Sequence, residues 1–86
     1  MAALNVSVVS ADQEIWTGGA SQVIAKTVEG EIGILRGHEP MLALLAQGEV
    51  RVTIDDGTKI TVDAEGGFLS VDHDNVTIVA SRAALI

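Results

Sequence analysis

Side chains able to do chemistry are sparse in this chain, and none of them falls into a working set. The two histidines, His38 and His73, stand far apart, neither has a patterned third ligand beside it, and cysteine is absent. Zinc sites are ordinarily announced by closely spaced Cys or His, so no metal centre is expected. Serine, histidine and aspartate are all present, but no serine sits in the strand-to-helix elbow that would make it a nucleophile. The carboxylate pairs Asp55-Asp56 and Asp72/Asp74 lie in turn-like stretches, where Asp is favoured for backbone reasons. A general acid needs a burial that turns deny. Gly30-Glu31-Ile32-Gly33 has the look of a glycine loop, yet a phosphate cradle needs a lysine, and Glu29 and Glu31 would repel the phosphate. Asp72-His73-Asp74-Asn75 begins like a calcium loop and lacks the remaining ligands and the closing glutamate. The expectation is a protein with no catalytic residues, no cofactor and no metal, which acts by binding other proteins.

Composition limits what can position such a binding surface. Eighty-six residues make a single domain, 1–86. A chain of this size hides only about 60% of its extended surface on folding, so the core must be efficient. Apolar residues make up 48% of the chain, but Trp16 and Phe68 are the sole aromatics, so branched aliphatic packing must replace large rings. Five basic against twelve acidic side chains leave a net charge of −7. That balance repels phosphate backbones and anionic headgroups, which argues against nucleic-acid binding and against direct lipid binding. The lack of cysteine fits a reducing compartment. Residues 1–9 carry no basic group and no sustained apolar run, unlike a signal or transit peptide. The longest apolar run, residues 41–46, is far short of the roughly 20 residues that span a bilayer, and a soluble protein is expected.

The elements read as short strands separated by punctuation. Leu4, Val6 and Val8 alternate with Asn5 and Ser7, the period-two pattern of a half-buried strand. Extended runs follow at residues 14–17 and 21–28. Val50, Val52 and Ile54 alternate with Arg51 and Thr53, as do Ile60 and Val62 with Thr61, and Asp56-Gly57 between them predicts a tight hairpin. Residues 68–71 and 76–80 form another pair around the polar turn 72–75. One segment is ambiguous: Pro40 can open a short helix and Gly48 can close it, although residues 41–46 are also short enough for a buried strand. On pattern alone the helix is slightly favoured. Residues 81–86 can start a second helix, but isolated helices below about 12 residues are marginal. Many short strands with regular turn signals predict a β-sandwich or barrel.

The stretch Val28-Glu29-Gly30-Glu31-Ile32-Gly33-Ile34-Leu35-Arg36-Gly37-His38-Glu39-Pro40 is the most specific in the chain, with two glutamates bracketing a glycine ahead of a His-x-Pro turn. It resembles the epsilon subunit of the rotary ATP synthase of bacteria and chloroplasts, whose pattern is Gly-Glu-x-Gly-x-Leu-Pro-x-His-x-Pro; Arg36 stands where that family has its first proline. Val8-Val9-Ser10-Ala11-Asp12 followed by Ile15-Trp16-Thr17-Gly18 is similar to the family's opening. Gly66-Gly67-Phe68-Leu69-Ser70-Val71 and then Asn75-Val76-Thr77-Ile78-Val79-Ala80 match in order and spacing.

The resemblance implies an all-β fold, a flattened ten-stranded β-sandwich of two packed sheets, in which residues 41–47 are extended and not helical. It also implies a non-catalytic central-stalk subunit that clamps the gamma shaft and rests on the polar loops of the c-ring. Such a subunit sits at the cytoplasmic face of the bacterial plasma membrane, held there by the synthase. Carried over residue by residue, Glu29, Gly30, Glu31 and Ile32 would form the tip facing the c-ring. Ser10, His38, Met41, Leu42 and Ala43 would lie toward gamma. The family usually continues into a C-terminal helical hairpin that inhibits hydrolysis and in some members binds ATP. These 86 residues lack it, so neither nucleotide binding nor hairpin-type inhibition is expected. On the residues alone two other readings stay open: a β-sandwich adaptor outside the synthase, and a small hydrolase or isomerase using His38.

Overall fold

In β1 (Leu4–Ser10), Leu4, Val6, Val8 and Ser10 turn into the core, while Asn5 is exposed and Ser7 and Val9 are half-buried. A computed structural model describes residues 4–10, 13–37, 39–54 and 57–85. Ala11, Asp12, His38, Asp55, Asp56 and Ile86, singled out in the sequence, lie outside the described residues. Among those described, nine further strands follow: β2 (Gln13–Ala20), β3 (Gln22–Thr27), β4 (Gly30–Leu35), β5 (Met41–Leu44), β6 (Gly48–Thr53), β7 (Lys59–Glu65), β8 (Phe68–Asp72), β9 (Asn75–Val79) and β10 (Arg82–Leu85).

Two five-stranded sheets result, one ordered β2-β1-β9-β8-β5 and the other β10-β7-β6-β3-β4. The ladders are antiparallel except that β1 runs parallel to β9, with Asn5 opposite Asn75 and Val9 opposite Val79. Leu4, Ile34, Leu69 and Ile78 are the largest side chains fully sealed between the sheets, and valines and alanines make up the rest of the sealed set. No aromatic ring belongs to this core; Trp16 is half-buried against it. The result is the predicted ten-stranded sandwich, with extents of 32 × 24 × 20 Å.

Turn chemistry explains the best-read hairpin. Gly57 takes φ +91° and donates its N–H to the Ile54 carbonyl at 2.9 Å, closing β6 onto β7. That conformation is costly for any residue with a Cβ.

The slight pattern-based preference for a helix at residues 41–46 is corrected, in the direction the resemblance implied. Residues 41–46 do not form a helix. Met41 to Leu44 are strand β5, paired with Val71 through Phe68 of β8, and Leu45 makes an isolated bridge to Thr27. The period-two signal was hidden because both faces of this strand are apolar: Met41 and Ala43 turn inward, Leu42 and Leu44 outward. The closing stretch is not helical either, since Arg82 to Leu85 add to the open edge of β7, whose unpaired backbone groups favour a strand there.

Candidate docking flank at the open edge of the sandwich

Strands β4 and β5 are the last strands of their sheets and are consecutive in the chain, so the connection between them carries the backbone from one sheet to the other. At its far end β5 is stitched back to β3. The Val28 N–H donates to the Leu44 carbonyl and the Ala46 N–H to the Lys26 carbonyl, each at 3.0 Å. Between these stitches and the start of β5 the flank stays open. It forms a groove of about 340 Å³ lined by Thr27, Val28, Glu29, Ile32 and the four residues of β5.

One wall of the flank is a bare apolar face. Leu42 is 72% exposed, Leu44 62% and Val28 62%. Leu44 stands opposite Phe68 in the β5–β8 ladder, and Leu42 opposite Ser70. Following the registers across the sheet, Leu44, Phe68, Val79 and Val9 make one outward apolar row, which ends at exposed Glu14 on the edge strand β2. The next row is Leu42, Ser70, Thr77, Ser7 and Thr17, uncharged throughout. In a chain with 20% charged residues, an outer face whose middle has no charge is unusual. The outer face of the other sheet is the contrast, with Lys26, Glu49, Arg51 and Asp63 on it and an exposed Glu49–Arg51 pair at 3.5 Å.

The other feature is the β3–β4 tip. Register puts Thr27 opposite Gly30, leaving Val28 and Glu29 as a two-residue loop. Buried Thr27 holds it: its hydroxyl donates to the Gly30 carbonyl at 2.7 Å and accepts from the Glu29 N–H at 3.2 Å. Gly30 adopts φ +121°, which a side chain would oppose. Glu29 and Glu31 are both exposed, and Glu31 faces Lys26 across the ladder.

The expected ring-facing residues therefore sit together, with Glu29, Gly30 and Glu31 exposed at the tip and Ile32 half-buried toward the groove. The expected shaft-facing residues do not all converge. Leu42 is on the bare face, but Met41 and Ala43 are half-buried, opposite the buried Val71 and Leu69. Ser10 is buried on β1, which β9 and β8 separate from β5, a span of about 14 Å at ordinary strand spacing. His38 lies outside the described residues. Sequence reasoning missed Val28, Leu44 and Phe68. Leu44 was visible as the period-two partner of Leu42, and Phe68 as an aromatic in a chain that has only two. Among the described residues, no group of three or more acidic or histidine side chains is placed to hold a metal ion.

Three comparisons bear on these features. The family model for the ATP synthase delta/epsilon chain, β-sandwich domain, matches residues 3–86. An ATP synthase epsilon chain from Micrococcus luteus is 59% identical over 85 residues, which is 99% of this chain and 93% of that protein. One from Corynebacterium diphtheriae is 49% identical over 84 residues, 96% of this chain but 68% of that protein. A chain in the Euglena gracilis mitochondrial ATP synthase superposes with a TM-score of 0.92 at 29% identity. The match covers 99% of this chain and spans about half of that subunit, 54% of its length.

Proposed function

The chain belongs to the ATP synthase delta/epsilon β-sandwich family, and on that premise we propose that it is a coupling part of the central stalk, gripping the gamma shaft with the bare face of β5 and touching the c-ring through the 28–31 tip. Ring rotation is thereby passed to the shaft and on to ATP synthesis. The observation that carries this reading is the pairing, along one flank, of an exposed apolar face with an acidic tip.

The two surfaces differ in energetics. Apolar anchors that become fully desolvated dominate binding, at about 2 kcal/mol or more for each hot spot. Leu42, Leu44 and Phe68 supply such anchors. Exposed ion pairs contribute only about 0 to 1 kcal/mol, so Glu29 and Glu31 guide contact with basic ring loops without clamping them. A firm grip on the shaft and a light touch on the ring suit a part that must transmit torque.

The chain performs no chemistry of its own in this reading. It resides peripherally at the cytoplasmic face of the membrane that holds the synthase. Co-purification tests the reading: tagged chain should recover gamma from bacterial membranes, and a clean failure to recover it would overturn the assignment. An adaptor outside the synthase would bring down other partners instead.

A further inference from the structure

The connection leading into β5 hydrogen-bonds to a carboxylate on the β8–β9 hairpin. The β8–β9 hairpin turns on His73 and Asp74, at φ 49° and 67°, between the paired residues Asp72 and Asn75. Glycine is the residue that takes such a conformation without a Cβ penalty, and Asp tolerates it better than most. Turn geometry alone therefore does not call for a carboxylate at position 74. The side chain has a distant partner: Asp74 Oδ1 accepts the Gly37 N–H at 2.7 Å, across 37 positions of sequence. The Asp74 carbonyl accepts the Asn5 N–H at 2.8 Å. One residue thus joins the hairpin, the start of β1, and the connection that carries the chain between sheets.

We infer that Asp74 is a positioning residue, whose carboxylate fixes the β4–β5 connection and through it the edge strand that presents Leu42 and Leu44. Strand β5 is four residues long, ends its sheet, and within that sheet pairs with β8 alone. Gly37 takes φ +84° with open space where a Cβ would be, so packing does not hold the loop at that point. Position 36 is an arginine, so no proline ring fixes φ ahead of Gly37. A charge-assisted bond from a carboxylate to a backbone N–H is the strong kind, and it acts at the residue leading into positions 38–40.

The inference rests on the docking reading above, and its test separates the two. Asp74→Gly keeps the turn conformation and deletes the acceptor; Asp74→Asn restores an acceptor oxygen without the charge and still tolerates positive φ. Amide exchange is followed by NMR in the whole 86-residue chain, together with Tm and affinity for purified gamma. Asp74→Gly should speed Gly37 exchange and weaken gamma binding, each about tenfold, the scale of one lost hydrogen bond. Tm should fall by roughly 5–11 °C, the same lost bond read globally, and Asp74→Asn should recover most of these losses. Unchanged Gly37 exchange in Asp74→Gly overturns the clamp. Faster exchange with unchanged affinity overturns its part in docking and reduces it to a structural tie. Wild-type chain that fails to bind gamma overturns the docking reading, and Gly37 exchange still decides whether the clamp exists.

Discussion

At Gly67 the chain runs so close to β9 that a Cβ would overlap the Val79 carbonyl and come within 2.8 Å of the Ala80 Cα, at a φ of +94° that already disfavours a side chain. Gly67→Ala should cost about 3 kcal/mol or more, lowering Tm by roughly 12–24 °C in a domain of this size; a calorimetric Tm within a few degrees of wild type contradicts the packing described. Leu42→Asp combined with Leu44→Asp should do the reverse. Both positions are solvated in the isolated chain, so Tm should move by no more than about 8 °C, since surface changes usually stay within 0.5 kcal/mol each. Binding to gamma, read by surface plasmon resonance, should fall by more than about thirtyfold if these are anchors. Sequence reading saw one glycine of this kind and not the other. Gly57 follows Asp56 between two alternating runs, a local signal. Gly67 is required by a strand that arrives later in the chain, and nothing beside it in sequence marks that contact.

Strands with one apolar and one polar face were legible: β1, β6 and β7 all follow their alternation. Strand β5 was not legible from its own pattern, because its outward Leu42 and Leu44 are as apolar as its inward residues, and it then lacks the alternation that separates strand from helix. Strand β10 was missed for a different reason, because its conformation comes from the free edge of β7 and not from its own residues. The two exposed glutamates of the tip were legible, but Glu31 lies on strand β4 and not in the Val28-Glu29 loop, and the internal brace was not foreseen. Thr27→Val removes the hydroxyl that serves both the Gly30 carbonyl and the Glu29 N–H. It should cost about 1–3 kcal/mol, seen as a lower urea midpoint with an unchanged slope. An unshifted midpoint means the β3–β4 loop holds itself without that side chain.

Across the whole molecule, charge acts on the scale of the fold. At about 0.01 M salt the screening length is about 30 Å, close to the longest extent of 32 Å, so every acid feels the others; at about 0.15 M it is about 8 Å. A net charge of −7 then works against the compact state chiefly at low salt. Raising sodium chloride between these limits should lift Tm by a few degrees, and a fall would mean that favourable ion pairs outweigh repulsion. Charge balance and an all-β fold of short strands, sandwich or barrel, were readable from composition and turn spacing, and the family resemblance chose the sandwich. The order of strands within each sheet was not, because pairing partners are chosen by the whole fold. The parallel contact between β1 and β9 has a further consequence, in time. Asn5 and Asn75 are 70 positions apart, so at the usual 5–20 residues per second a ribosome needs roughly four to fourteen seconds to deliver the second after the first. During that interval Leu4, Val6 and Val8 have at most the β2 hairpin for company, and a lone hairpin is marginal in water. Each nascent copy of this subunit therefore passes through a window of seconds in which its earliest strand is sticky and unfinished, a natural point of engagement for chaperones at the ribosome exit.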